Sequence, residues 1–136
     1  MPIYARMTSK PYPSAEELIS MDDRIIVGWY SALPPYFSGD SEVPAKHRLS
    51  QAVLMWKYRN FRILMYRPFV VRDMLGNRRA ELANMPQGHL AQDRCMHEAE
   101  TTIMSIKDFW DQQEHTRLAA WYALCVHFIH ADSTSR

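Results

Sequence analysis

Glycine is scarce in this chain. The four glycines, at 28, 39, 76 and 88, are each isolated, so no glycine-rich loop is available to cradle a phosphate. There are two cysteines, Cys95 and Cys125, which make no disulfide framework and point to a reducing compartment. No run of about 18 apolar residues occurs, so no membrane span is predicted. The opening Met-Pro-Ile-Tyr-Ala-Arg lacks the continuous apolar core of a signal peptide. β-Branched residues are sparse, which disfavours sheets. No Gly-x-Ser-x-Gly stretch is present, so nothing local marks a nucleophile elbow.

What remains is a helix-forming composition. Alanine, leucine, methionine, glutamate and arginine are common, and hydrophobic residues make up 47% of 136 positions. A chain of this length can bury about 70% of its unfolded surface in one domain. The expectation is an all-α fold, an irregular bundle of four main helices with a proline-kinked central helix. Residues 1–13, with three prolines and no period, read as an irregular arm. Residues 14–130 read as the helical domain and 131–136 as a polar tail.

The net charge of +1 hides an uneven distribution. Residues 1–46 carry a net −2, residues 47–79 a net +7 and residues 80–136 a net −4. Two accounts are open: acidic helices packing around a basic one, or a polyanion-binding face. The basic segment is also strongly apolar, which favours the first.

Ser14-Ala15-Glu16-Glu17 is a capping box. Leu18, Met21, Ile25, Trp29 and Leu33 then recur at helical spacing, and Pro34-Pro35 stops the pattern. This predicts helix over 15–32. Residues 34–46 read as a loop in which Tyr36 and Phe37 tuck against the core. A second helix is predicted from Lys46 or His47 to about Tyr66, with a kink at Arg67-Pro68 and helix resuming over Phe69–Leu75. Its apolar residues fall on two faces, the sign of burial from two sides. Gly76-Asn77 ends it, and 76–89 read as a loop with a helical turn near Arg79–Ala83. A third helix is predicted over 90–112, with a stripe of Cys95, Met96, Ala99, Thr102, Ile103, Ile106 and Trp110. A fourth is predicted over 115–130, apolar on most sides.

Candidate chemistry is thin. Cys95-Met96-His97 and the His127/His130 pair place soft ligands close together, but the apolar helix around the pair argues against a hydrated metal site. His97-Glu98 opens like a zincin motif, yet Thr101 stands where the second imidazole is required. No catalytic residue, metal ligand or cofactor is expected, and the chain reads as a non-enzyme. Lys57, Arg59, Arg62, Arg67 and Arg72 with Tyr58 and Phe61 have the composition of a nucleic-acid grip. Exposing Trp56, Phe61, Ile63, Leu64 and Met65 to make that grip would forfeit roughly 1.5–3 kcal/mol each. Direct DNA binding is therefore not expected. Arg67 sits on the apolar face beside the predicted kink. A buried arginine must be paired, and the candidate partners are a carboxylate of the third helix, Asp93, Glu98 or Glu100, or the carbonyls freed at Pro68.

The ordered set Trp56-Lys57-Tyr58-Arg59-Asn60-Phe61-Arg62-Ile63-Leu64-Met65-Tyr66-Arg67-Pro68-Phe69 resembles the middle homology region of fungal transcription factors of the zinc binuclear cluster type. Cys95-Met96-His97-Glu98-Ala99 is similar to the helix that follows there. Trp121-Tyr122 lies in an apolar helix similar to the next one. Trp29-Tyr30 before Leu33-Pro34-Pro35-Tyr36 matches the preceding helix end. The resemblance spans about residues 14–130 and is to the C-terminal portion of that region. It rests on Trp56, Tyr58, Arg59, Phe61, Tyr66, Arg67, Pro68, Phe69, Cys95, Ala99, Trp121 and Tyr122. It implies a nuclear, non-enzymatic regulatory module with protein partners or self-association, and leaves a small-molecule effector open. The six-cysteine cluster that binds DNA in such factors is absent from these residues. The alternative is a stand-alone helical interaction or dimerisation module, which a large exposed apolar patch on the fourth helix would favour.

Overall fold

The computed structural model describes residues 2–38, 43–74, 86–112 and 116–131. Every regular element among them is helical: α1 (Pro2–Met7), α2 (Ala15–Met21), a π-helical turn (Asp22–Val27), α3 (Gly28–Ser31), α4 (Pro35–Ser38), α5 (Ala45–Met74), α6 (Pro86–Gln112) and α7 (Arg117–Ala131). The all-α bundle expected from composition is what forms.

The Ser14 cap is in place, its Oγ accepting from the Glu17 amide at 3.2 Å. The reciprocal half of the capping box is not made, because Arg6 of α1 takes the Glu17 carboxylate, with Nη2 at 2.8 Å. The N-terminal arm expected to be irregular is therefore helical at Pro2–Met7. Ile3 is buried in the main core, Met7 packs against that core, and the Tyr12 hydroxyl donates to the Met65 carbonyl at 3.0 Å. Six residues are too few to hold a helix alone; its stability comes from these tertiary contacts, which proline counts do not reveal.

The helix predicted over 15–32 forms, but its middle widens into the π turn. The buried line is Leu18, Asp22 and Ile26, while Met21 and Ile25 are half-buried and Trp29 is exposed. The expected stripe is thus rotated, with an aspartate in its centre. Residues 35–38, expected to be loop, form the short α4, in which Tyr36 and Phe37 are half-buried against each other and Tyr36 against His47, and Gln51 donates to the Tyr36 carbonyl at 3.2 Å.

Helix α5 is the central element. At about 1.5 Å per residue, its 30 residues make a rod that the others pack along. Helical geometry runs through Pro68 to Met74. Met55, Trp56, Ile63, Met65, Tyr66 and Phe69 are buried. Polar links spread along their length tie α5 to α6. Trp56 Nε1 donates to Ser105 Oγ at 3.1 Å, Arg62 pairs with Glu98, Cys95 Sγ meets the Ile63 carbonyl at 3.7 Å, and Gln92 donates to the Phe69 carbonyl at 3.1 Å. Residues later in α5 meet residues earlier in α6, so the two helices are antiparallel.

Pro86-Gln87-Gly88, expected to be loop, is the first turn of α6. Proline suits that position because its missing amide hydrogen would have no helical acceptor. The buried line of α6 is Ala91, Cys95, Glu98 and Thr102; Met96 and Ile103, placed in the stripe by sequence, face outward. Helix α7 buries Ala119, while Leu118, Trp121 and Leu124 are exposed. The expectations for Gly76-Asn77, for a turn at Arg79–Ala83 and for residues 132–136 lie outside the described residues.

Candidate functional site

Three helical segments meet at a buried polar cluster. Asp22 of the π turn has no exposed surface, and its carboxylate accepts from three side chains. Arg62 of α5 donates from Nε and Nη2 at 3.0 and 2.8 Å; Tyr66, one turn on, donates its hydroxyl at 2.7 Å; Arg94 of α6 donates from Nη1 at 3.0 Å. Arg62 Nη1 also donates to Glu98 of α6, whose own carbonyl accepts from Thr102 Oγ1 at 2.6 Å. Arg94 reaches outward to Asp23 at 2.7 Å. The forked guanidinium of Arg62 thus bridges two carboxylates from two helices, which a lysine could not do with the same geometry.

Burial opposes the charge of Arg62, but Asp22 and Glu98 outweigh it and raise the pKa above the ordinary arginine value. The hydrogen bond with Asp23 does the same for Arg94 against its partial burial. Burial, and then the Asp22 carboxylate, push the Tyr66 phenol up, so it remains a donor. Cys95 lies in the adjacent apolar core, where burial pushes its thiol up to about 11 against the pull of Arg67. Such a thiol is not an activated nucleophile.

The expected pairing of Arg67 is corrected here. Arg67 is half-buried, and among the described residues no ion pair joins it to Asp93, Glu98 or Glu100. Glu98 is bound by Arg62 instead, with Arg59 Nε at 4.0 Å. The helical register explains this. Arg62 lies four residues before Tyr66, so the two side chains share a face, whereas Arg67 is turned about 100° from Tyr66.

The other motif residues separate into two groups. Tyr66, Phe69 and Cys95 form one buried core with Ala99 packed against it, and Trp56 is buried edge-on to Phe109 at 5.4 Å. Tyr58 stacks with Tyr30 at 4.9 Å and with Trp29 at 6.2 Å, and lies under Arg62 at 5.7 Å. Pro68 is half-buried, and Tyr122 receives the Lys57 ammonium over its ring at 5.6 Å. Trp121 stands apart from this assembly at 64% exposure.

Beside the Trp29–Tyr58 stack is a cavity of about 320 Å³, lined by Ile25, Ile26, Trp29, Leu54, Lys57, Tyr58 and Phe61. A second surface feature is exposed apolar side chains on two helices, Met96, Ile103 and Met104 on α6 and Leu118, Trp121 and Leu124 on α7.

Cys95 is buried while Met96 and His97 are exposed, and the side chains of His127 and His130 lie outside the described residues. Among the described residues no three His, Cys, Asp or Glu side chains are placed to share a metal. No described helix is long and apolar enough to cross a membrane.

Asp22 and Arg94 were not singled out by the sequence, and Arg62 was named only among the cations of a nucleic-acid grip. A signal was there: Leu18-Asp22-Ile26 places an acid in an apolar line at four-residue spacing, and Arg62/Tyr66 and Arg94/Glu98 repeat that spacing. Comparison with protein-family profiles, curated proteins and solved structures finds no match to this chain.

Proposed function

We infer that this chain is a non-enzymatic regulatory module of the kind its sequence resembles, the middle homology region of a fungal zinc-cluster transcription factor. On this reading it works in the nucleus through protein contacts, and DNA contact belongs to a cysteine cluster that these residues lack. The observation that carries the reading is the convergence of distant motif residues. Trp29 and Tyr30 meet Tyr58, and Tyr66 and Phe69 meet Cys95 and Ala99. Residues matched in order along the sequence are thus neighbours in space, some in the core and some in the ring stack beside it, as expected if the pattern encodes a common architecture. The inward use of Arg62 by Asp22 and Glu98 also favours intramolecular pairing of the basic stretch over a phosphate grip.

The test is a reporter assay. The chain is fused between a heterologous DNA-binding domain and a strong activation domain in yeast, with an inert linker of equal length as control. A regulatory module lowers reporter output several-fold; output equal to the linker control contradicts the reading.

A second reading, a stand-alone interaction or dimerisation module, is favoured by one observation. Leu118, Trp121 and Leu124 of α7 are each more than half exposed, and clustered apolar surface of this kind marks protein contacts. Concentration-dependent sedimentation that Trp121→Ser abolishes, with no effect in the reporter assay, would select this reading.

A further inference from the structure

The cavity beside the π turn has the make-up of a small-molecule site. Its volume of about 320 Å³ lies at the low end of the roughly 300–1,000 Å³ range of ligand pockets. Ile25, Ile26 and Leu54 supply aliphatic surface, and Trp29, Tyr58 and Phe61 supply rings. Trp29 stays nearly half exposed although its ring stacks on Tyr58. The π turn contributes the wall directly: the neighbouring residues Ile25 and Ile26 both line the cavity. Single π turns inside α-helices are frequent at functional sites.

The lining has one charge. Lys57 lines the cavity with the apolar stem of its side chain, and no carboxylate lines it. The ammonium leans on the Tyr122 ring at 5.6 Å, a contact it can leave at little cost because the residue is solvent-exposed. The two carboxylates of the same π turn are engaged elsewhere, Asp22 by Arg62, Tyr66 and Arg94 and Asp23 by Arg94. The local balance is therefore an apolar, ring-lined slot whose one charged lining residue is Lys57, its ammonium lying beside the slot over Tyr122. A neutral apolar molecule satisfies the walls only. A flat aromatic body carrying one carboxylate satisfies both the walls and Lys57.

We propose that this cavity binds a small aromatic carboxylate, its ring held among Trp29, Tyr58 and Phe61 and its anion paired with Lys57. The site goes beyond the regulatory reading and does not depend on it: a chain that fails in the reporter assay can still bind, and the reverse.

The test is calorimetric titration of the full chain with naphthalene-2-carboxylate and with its neutral counterpart 2-naphthylmethanol. Saturable one-to-one binding is expected, with the carboxylate favoured about three- to fivefold, the worth of a partly exposed ion pair. Lys57→Met removes that preference and leaves the alcohol's affinity within about twofold, since the rings supply it. Ile25→Trp, which fills the slot, abolishes binding of both. Because Lys57 is exposed, Lys57→Met retains the fold and keeps the test decisive if Ile25→Trp does not fold. The proposal is overturned if the wild-type chain shows no saturable binding of the carboxylate, or if the preference for the carboxylate survives Lys57→Met.

Discussion

Each of the two sides of α6 carries exceptions to the usual distribution of polarity. Its inner line carries Glu98, buried against Arg62 and beside Cys95, while its outer line carries Met96, Ile103 and Met104 in solvent. The inner side is a joint. Burying separate charges costs several kcal/mol each unless they are paired and hydrogen-bonded. Asp22, Arg62 and Glu98 satisfy that condition only when the π turn, α5 and α6 are all in register. Apolar packing alone tolerates shifts of one helix along another; a bridged guanidinium does not. The outer side is set by no such condition, and with α7 it leaves Leu118, Trp121 and Leu124 exposed as well. One side of the helix specifies the fold, and the other carries exposed apolar side chains that no such pairing constrains.

The largest expected effect is at the joint. Arg62→Ala leaves Asp22 and Glu98 short of their shared partner and destabilises the fold by about 3–5 kcal/mol in urea unfolding. Arg67→Ala, at a half-buried residue without a described carboxylate partner, costs less than about 1 kcal/mol. Equal losses would erase the distinction between the two arginines. Next comes Tyr66→Phe, which removes one hydrogen bond to a buried carboxylate, for about 1.5–3 kcal/mol by the same measurement.

The apolar core beside the joint gives a pH-dependent prediction. The Cys95 thiol is pushed up to about 11 from its ordinary 9.0, so the folded state holds that proton longer than the unfolded chain. Its contribution is full below pH 9 and is lost as the pH rises towards 11. Relative to Cys95→Ala, the wild-type chain is expected to lose roughly 1–2 kcal/mol between pH 8 and pH 11. A parallel pH profile for the two proteins would show that the thiol is not buried. The smallest effect is on the outer side: Trp121→Ser changes unfolding stability by no more than about 0.5 kcal/mol. A loss well above that would mean that α7 packs through this residue, and would break the comparison.

The legible part of this fold was the part governed by periodicity. The start of α2 at the Ser14 cap, the length of α5 and its burial from two sides all follow from spacing and capping chemistry. Helix faces were less legible. Apolar residues run round most of α6 and α7, so spacing could not tell Met96, which is exposed, from Cys95, which is buried. Pro86 read as loop because a proline at the first helical turn looks like a breaker until the helix after it is known. The joint was half legible. A paired arginine on α5 was expected and Glu98 was among its possible partners, but the choice between Arg62 and Arg67 depends on which face of α5 meets Asp22. That face is fixed by Tyr66 and the π turn, a tertiary fact with only the Leu18-Asp22-Ile26 spacing to announce it. The slot lined by Trp29, Tyr58 and Lys57 assembles residues from two helices and had no local signature at all.

The central claim is that Asp22 and Arg62 act as one unit in joining the helices. A double-mutant cycle tests it most directly, with Asp22→Ala, Arg62→Ala and the double variant unfolded in urea. The account predicts that the double variant loses less than the sum of the two single losses, with a coupling of about 1.5–3 kcal/mol. Losses that add to within about 0.3 kcal/mol would contradict it, for then the two residues would act independently.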